Sequence, residues 1–307
     1  MVPLLFCCAI IALNQIFQSW FGALLSEIVK RISGRTELFD NSHLLLHRWD
    51  IDGKPLNQHQ SWFNLGFWET ARQYPQACEA LAIRFAEFGQ LAGGQNVFDI
   101  GFGCGDQLLL WKKHFHVSVI HGQNISESQT EMAKEKTIGL ENLIIKNADL
   151  DSLADWPAQF YDRVLALDCA YHFDKKLNFF CEANRMLRTS GKIVLADILL
   201  HKEAKNFLWK KFLIWAIAKS SSIPIENLVT IEEYTVQLEK AGFQHIQYQF
   251  IDRQVFMGYA NFIKIYHYQN QGKAHPHRWL KFTGVGRILE TAVKKKLFHF
   301  SLISASK

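Results

Sequence analysis

Paired cysteines are the first thing this sequence lacks. Its six cysteines stand at positions 7, 8, 78, 104, 169 and 181, none forms a C-x-x-C pair, and no Cys/His spacing suits zinc. A disulfide framework and a finger-type metal site are therefore not expected, and a reduced compartment is. No segment is of low complexity and no period of about 20–50 residues recurs, which excludes solenoids and arrays. Zinc-hydrolase and protease motifs are missing too. No lysine or arginine precedes Lys30, so the apolar N-terminus does not read as a secretory signal peptide, which carries positive side chains first. Charge is scarce as well: the net +5 and a pI near 8.8 are too weak alone to imply a nucleic-acid partner.

What is present is a large apolar fraction. Hydrophobic residues make up 49% of the 307 and charged residues 21%, enough to bury the core of one enlarged α/β domain. Val2 to Leu25 is almost wholly apolar, interrupted only by Asn14, Gln15, Gln18 and Ser19. A bilayer-spanning helix needs roughly 20 such residues. With Lys30, Arg31 and Arg35 following, the segment reads as an uncleaved anchor that leaves the body of the chain in the cytosol. The stripe of Asn14 and Gln18 also suits a helix lying in the interface, and packing on the protein's own core is a third placement. The expected divisions are a hydrophobic anchor at 1–35, a main domain at 36–270 with a lid at about 203–228, and a basic tail at 271–307. The tail holds His275, His277, Arg278, Lys281, Arg287 and Lys294 to Lys296, and reads either as a solvated end or as a contact for anionic headgroups.

Hydrophobic periodicity supplies the fold class. Residues 76–90 place Ala77, Leu81, Phe85 and Phe88 at helical spacing. Strands are expected at 96–100, 117–121, 143–146, 162–167 and 192–197, with helices between them, including one capped by Ser126 and one over about 175–187. That alternation is the signature of a doubly wound parallel sheet covered on both faces. Helices then follow at 206–219 and 230–243, divided by Pro224, and a strand at 245–252. The expectation is a Rossmann-like sheet of seven strands with a helical lid and the N-terminal hydrophobic helix. Trp209, Phe212, Leu213 and Ala216 form a stripe on the 206–219 helix, read as a buried lid face with a lipid-facing wall as the alternative.

The central motif is Val97-Phe98-Asp99-Ile100-Gly101-Phe102-Gly103-Cys104-Gly105-Asp106. Glycines at 101, 103 and 105 let the chain turn sharply into a helix and let a ligand approach the backbone. A lone G-x-G-x-G is weak, but this one follows an apolar strand and opens a helix. A nicotinamide dinucleotide would want an acid about 20 residues on for its ribose. The strand there ends His121-Gly122-Gln123-Asn124, with no acid. A methylsulfonium nucleoside has no phosphate and asks for polar groups after later strands. Asn124, Gln129, Asp149 and Asp168 stand at those places.

These residues resemble the class I S-adenosylmethionine-dependent methyltransferases, and more closely the small-molecule branch with the tocopherol, sterol and sarcosine methyltransferases and the cyclopropane fatty-acid synthases. The resemblance covers roughly residues 60–265. VFDIGFGCGD matches the family's first motif. GQNISESQTEMA implies cofactor contacts from Asn124, Ile125 and Gln129. NADLDSL implies that Asp149 faces the adenine amine and Leu150 its ring. DRVLALDCAYHF and EANRMLRTSGKIVLAD are similar to the fourth and fifth strands with their helix, and NLGFWE to the segment that covers the cofactor. The family's Pro-Gly-Gly turn is replaced by Thr189-Ser190-Gly191, a departure that touches turn geometry only.

Methyl transfer needs an acceptor held in line with the methyl group and, for many acceptors, a base. His172 is the candidate base and Tyr171 a candidate hydrogen-bond donor to the acceptor; both could instead simply pack at a strand end. Asp99, Gly101, Gly103, Gly105 and Asp168 complete the expected S-adenosyl-L-methionine site, with Asp99 expected to fix the glycine turn by accepting its backbone N–H groups. Asp106 reads as a site residue or as a partner of the helix dipole. The expected activity is methylation of a small, hydrophobic acceptor (lipid, sterol, quinone or terpenoid) at a membrane of the endoplasmic reticulum or mitochondrion type. The alternatives are N-methylation of a small amine, or a cofactor-binding, inactive, membrane-tethered partner protein. A nucleic-acid substrate is not expected, because DCAY stands where base-methylating relatives carry N-P-P-Y.

Overall fold

The structure is a computed structural model that describes residues 41–56, 59–270, 272–273 and 276–307. The anchor expected over residues 1–35 lies outside the described residues. Among the described residues, no helix is long and apolar enough to cross a membrane.

Seven strands form one mixed sheet: β1 (Asn96–Ile100), β2 (Val119–Asn124), β3 (Leu143–Asn147), β4 (Tyr161–Leu167), β5 (Leu187–Leu200), β6 (Gln244–Phe250) and β7 (Phe298–Ser306). Their order is β3-β2-β1-β4-β5-β7-β6, with β7 antiparallel to both neighbours. The first five are parallel, and the chain order reverses between β1 and β4, the place where open α/β sheets leave a crevice at the strands' carboxyl ends. The strands expected from periodicity are all present, shifted by a few residues at their ends. Central strands are buried on both faces, so β4 and β5 read as near-continuous apolar runs.

Helices α1 (Tyr74–Phe88), α2 (Asp106–Lys113), α3 (Glu127–Lys136) and α4 (Lys176–Met186) link or cover these strands. The core helix α1 buries Ala77, Cys78, Leu81, Ala82, Phe85 and Ala86 along one stripe. Ser126 caps α3, its hydroxyl accepting from the Gln129 N–H. After β5 come α5 (Leu208–Ser220) and α6 (Ile231–Lys240), the latter opened by a capping box of Thr230 and Glu233.

Two expectations are corrected here. The tail expected at 271–307 is no tail: α7 (Gly258–Asn270) and α8 (Pro276–Lys294) are inserted between β6 and β7, and the last nine-residue strand runs through the sheet's interior. Nine register pairs join β7 to β5, and Phe300, Leu302 and Ile303 are fully buried. The run of lysines at 294–296 ends α8 rather than opening a solvated end. The stripe on α5 does not face inward: Trp209 is 51% and Phe212 67% exposed, and of its four members only Ala216 is buried. The buried side of α5 is Ile214, Ala216, Ile217 and Ala218. With apolar residues on both sides, hydrophobic spacing alone does not say which side packs.

Candidate active site

The turn after β1 is built by glycine. Gly101 has φ +73°, and a Cβ there would lie 2.8 Å from Cys169 Sγ, so the left-handed backbone and the neighbouring turn both require glycine. Gly103, at φ +57°, faces open space, its ideal Cβ position 4.0 Å from Phe63 Cβ. The turn therefore leaves bare backbone on the floor of a cleft of about 710 Å³.

Ten of the twelve expected site residues line that cleft: Gly101, Gly103, Asn124, Ile125, Gln129, Asp149, Leu150, Asp168, Tyr171 and His172. They come from the ends of β1 to β4, so the sheet's switch point gathers them. Asp99 and Gly105 are not among them. Asp99 is fully buried behind the turn, accepting hydrogen bonds from Gln107 Nε2 at 2.9 and 3.0 Å and from Trp111 Nε1 at 2.6 Å. Its expected grip on the glycine backbone is thus replaced by a grip on α2, which fixes the turn from behind. Burial raises this carboxyl to about 7, against the opposing pull of Gln107 and Trp111. Gly105 packs on α3, where a Cβ would meet Ala133 Cα at 2.8 Å. Asp106 also stays out of the cleft, bonded to the Ser61 N–H and to Lys136 Nζ.

Polar groups at the ends of β2 and β3 are tied together. Gln123 donates from Nε2 to the Asp149 carbonyl at 2.5 Å and accepts from Trp156 Nε1 at 2.8 Å. Asn124 Nδ2 donates to Gln129 Oε1 at 3.0 Å. Gln129 is only 3% exposed, yet its Nε2 has no partner among the described residues. A buried amide donor left unmet costs about 1–3 kcal/mol, so a ligand acceptor is wanted there. This orphaned donor, beside bare glycine backbone and the Asp149 carboxylate, fits an amino-acid-bearing nucleoside such as S-adenosylmethionine.

The turn after β4 carries the titratable groups. Asp168 sits at φ +57°, a strained conformation for a residue with a side chain. Its carboxylate accepts from the Leu65 N–H at 2.8 Å and from the Tyr171 hydroxyl at 3.0 Å, and burial raises it to about 7. The Tyr171 hydroxyl is spent on Asp168 rather than presented to an acceptor, and burial, followed by the nearby Asp168 charge, raises it well above the ordinary tyrosine range. His172 donates from Nδ1 to the Ser222 carbonyl at 3.1 Å, which makes Nε2 the basic nitrogen of the neutral ring. Burial lowers its pKa, favouring that neutral form.

Sequence reasoning missed the facing wall. His43, Phe63, Asn64, Leu65 and Tyr74 contribute from the N-terminal side, and Tyr259, Lys281, Phe282 and Val285 from α7 and α8. Of these, Asn64 and Leu65 belong to the 64–69 segment that the resemblance implied as a cover for the cofactor. Nothing local marked α8, whose Phe282 and Val285 lie about 180 residues beyond the glycine turn in sequence but across a cleft from it in space. Among the described residues, no cluster of His, Cys, Asp and Glu could hold a metal ion.

Residues 98–195 match the family model described as a methyltransferase domain, the stretch that runs from the glycine turn into β5. Over that stretch the chain is similar to class I methyltransferase domains of the small-molecule branch. S-adenosylmethionine is the cofactor of that family. Among similar sequences, erythromycin 3''-O-methyltransferase of Saccharopolyspora erythraea is 28% identical over 194 residues, 61% of this chain and 63% of that protein. The 27-O-demethylrifamycin SV methyltransferase of Amycolatopsis mediterranei is 26% identical over 183 residues, 58% and 65%. The chain thus spans slightly under two thirds of these relatives' lengths. The cyclopropane synthase MmaA2 of Mycobacterium tuberculosis shares the fold with TM-score 0.66 at 16% identity, over 88% of this chain and 95% of that one. Geranyl diphosphate C-methyltransferase of Streptomyces coelicolor does so with TM-score 0.61 at 14% identity, over 79% and 83%.

Proposed function

We propose that this chain transfers a methyl group from S-adenosylmethionine to a small, largely apolar acceptor, and that it does so at a membrane surface with the catalytic domain in the cytosol. The observation that carries the reading is the shared cleft: a glycine floor, an orphaned Gln129 amide and the basic nitrogen of His172 line one cavity. When bound, S-adenosylmethionine supplies an electrophilic methyl group that an acceptor electron pair displaces in line from sulfur. The backbone of Gly101 and Gly103 and the amide of Gln129 would hold its amino-acid end. Asp149 and Leu150 would hold the nucleoside, while Asp168 pins Leu65 and Tyr171 so that the cover segment closes the cleft.

His172 would take the acceptor's proton on Nε2 as the new bond forms. Phe63, Tyr259, Phe282 and Val285 supply an apolar enclosure, the environment that concentrates a hydrophobic acceptor and excludes water. Support for the membrane comes from the apolar run at Val2–Leu25. The test is incubation of the full chain with methyl-labelled S-adenosylmethionine and a total lipid extract, beside a pool of water-soluble amines. Label in the organic phase, dependent on His172, is expected. Label confined to soluble amines would replace the acceptor class, and no transfer to either from protein that binds the cofactor would point to an inactive, tethered member.

A further inference from the structure

The outward side of α5 is apolar where a soluble surface would be polar. Leu208, Phe212 and Trp215 follow one another at i, i+4 and i+7, the spacing of a single helix face, and are 85%, 67% and 46% exposed. Phe207 and Trp209 flank the face at 49% and 51% exposed, and the rings of Phe212 and Trp215 lie 6.0 Å apart. Contiguous exposed apolar surface of this kind marks an interaction site.

Charge says what covers it. The run from 207 to 222 has three lysines and no acid. Lys211 and Lys219 are exposed on or beside the face, while the third, Lys210, is buried with Nζ 5.2 Å and 5.8 Å from the ring centroids of Phe207 and Trp209. The acid nearest in sequence before the helix is already answered, Glu203 pairing with Lys296 at 3.1 Å, and Glu233 of α6 pairs with Lys205, also before the helix, at 2.5 Å. Beyond the helix's far end Glu226 and Glu232 are exposed acids, with Glu233 beside them held by Lys205. At 13 residues, α5 is too short to span a bilayer, which needs about 20. A short helix with tryptophan, phenylalanine and leucine outward and lysines at its margin is the composition of an element that lies in the headgroup region of an anionic bilayer.

The position of the helix gives this contact a purpose. Its C-terminal turn leads to Ser222, whose carbonyl accepts from His172 and which itself lines the cleft. We propose that α5 is a membrane-docking lid: its apolar face seats on anionic lipid and so turns the mouth of the cleft toward the bilayer that holds the acceptor. This purpose rests on the methyltransferase reading; the docking itself does not.

The full chain is mixed with vesicles of phosphatidylcholine, with or without phosphatidylglycerol, doped with a phosphatidylcholine carrying a photoactivatable diazirine on its acyl chain. Peptides are then mapped for carbene insertion. Insertion within 208–219 is expected, stronger with phosphatidylglycerol, and about tenfold weaker in a Phe212→Ser/Trp215→Ser variant, since binding scales with buried apolar area plus charge. The variant's circular dichroism and its calorimetric titration with S-adenosylhomocysteine should match the parent, which separates this proposal from the cofactor site. A Leu208→Ser variant gives the same readout with a milder change. Insertion confined to residues 1–35, or equal at 208–219 in parent and variant, overturns the proposal. So does a dimer that these substitutions dissociate, which would make the occupant a second copy of the chain.

Discussion

Ionising a carboxyl that burial has stripped of water is costly, and Asp99 and Asp168 both stand in that position beside the sheet's switch point. Each has a folded pKa near 7 against an ordinary 3.8, so the folded state holds the proton more tightly than the unfolded chain. Their contribution to stability is therefore greatest at low pH and declines as pH rises from about 4 to 7. Asp99→Asn should flatten that decline, read as a smaller difference in urea midpoint between pH 5 and pH 8 than in the parent. An unchanged pH dependence would mean that the carboxyl is ionised throughout. His172 runs the other way: burial lowers its pKa, so the neutral base persists to pH values below the usual 6.5. The rate should fall on acidification through a value under 6.5. His172→Gln should lower kcat by about a hundredfold or more while cofactor affinity stays within about twofold, the split expected of a base rather than a packing residue.

Among the elements, α4 and α6 are held to β5 by a buried ionic cluster. Asp197 of β5 accepts from Lys176 Nζ of α4 at 2.9 Å and from the Tyr234 hydroxyl of α6 at 2.7 Å, all three nearly or fully buried. Lys176→Met removes the cation paired with the buried Asp197 carboxylate, and should cost about 3–5 kcal/mol in denaturant unfolding. Tyr234→Phe removes one donor and should cost less, about 1–3 kcal/mol. The last strand makes a stronger demand. Chains ended at Lys296 lose β7, which separates β5 from β6, and should show no cooperative unfolding transition by circular dichroism. A transition as sharp as the parent's would show that β7 is dispensable.

For the whole molecule, the sequence was most readable where local pattern and fold agree. From 76 to 250, alternating helix and strand periods located every strand but the last, because each buried strand is an apolar run bounded by turns. It was least readable where distant segments meet. Residues 298–306 alternate weakly after a lysine run, so local pattern suggested a tail, and only the gap between β5 and β6 makes them a core strand. The wall from α7 and α8 was invisible for the same reason, and Tyr171 looked available because its bond to Asp168 depends on a strained turn. Ten expected residues still converge on one cleft, since the class of sheet dictates where strand ends gather. If that cleft holds S-adenosylmethionine, saturating ligand at about 100 times Kd should add about 2.7 kcal/mol to stability and raise Tm accordingly. The most direct measurement is calorimetric titration of the full chain with S-adenosylmethionine, beside a Gly101→Val variant whose side chain would crowd Cys169 and the cleft floor. Saturable one-to-one binding in the parent, weakened at least about tenfold in the variant, is the predicted result. Folded parent protein that gives no heat, or parent and variant that bind alike, would contradict it.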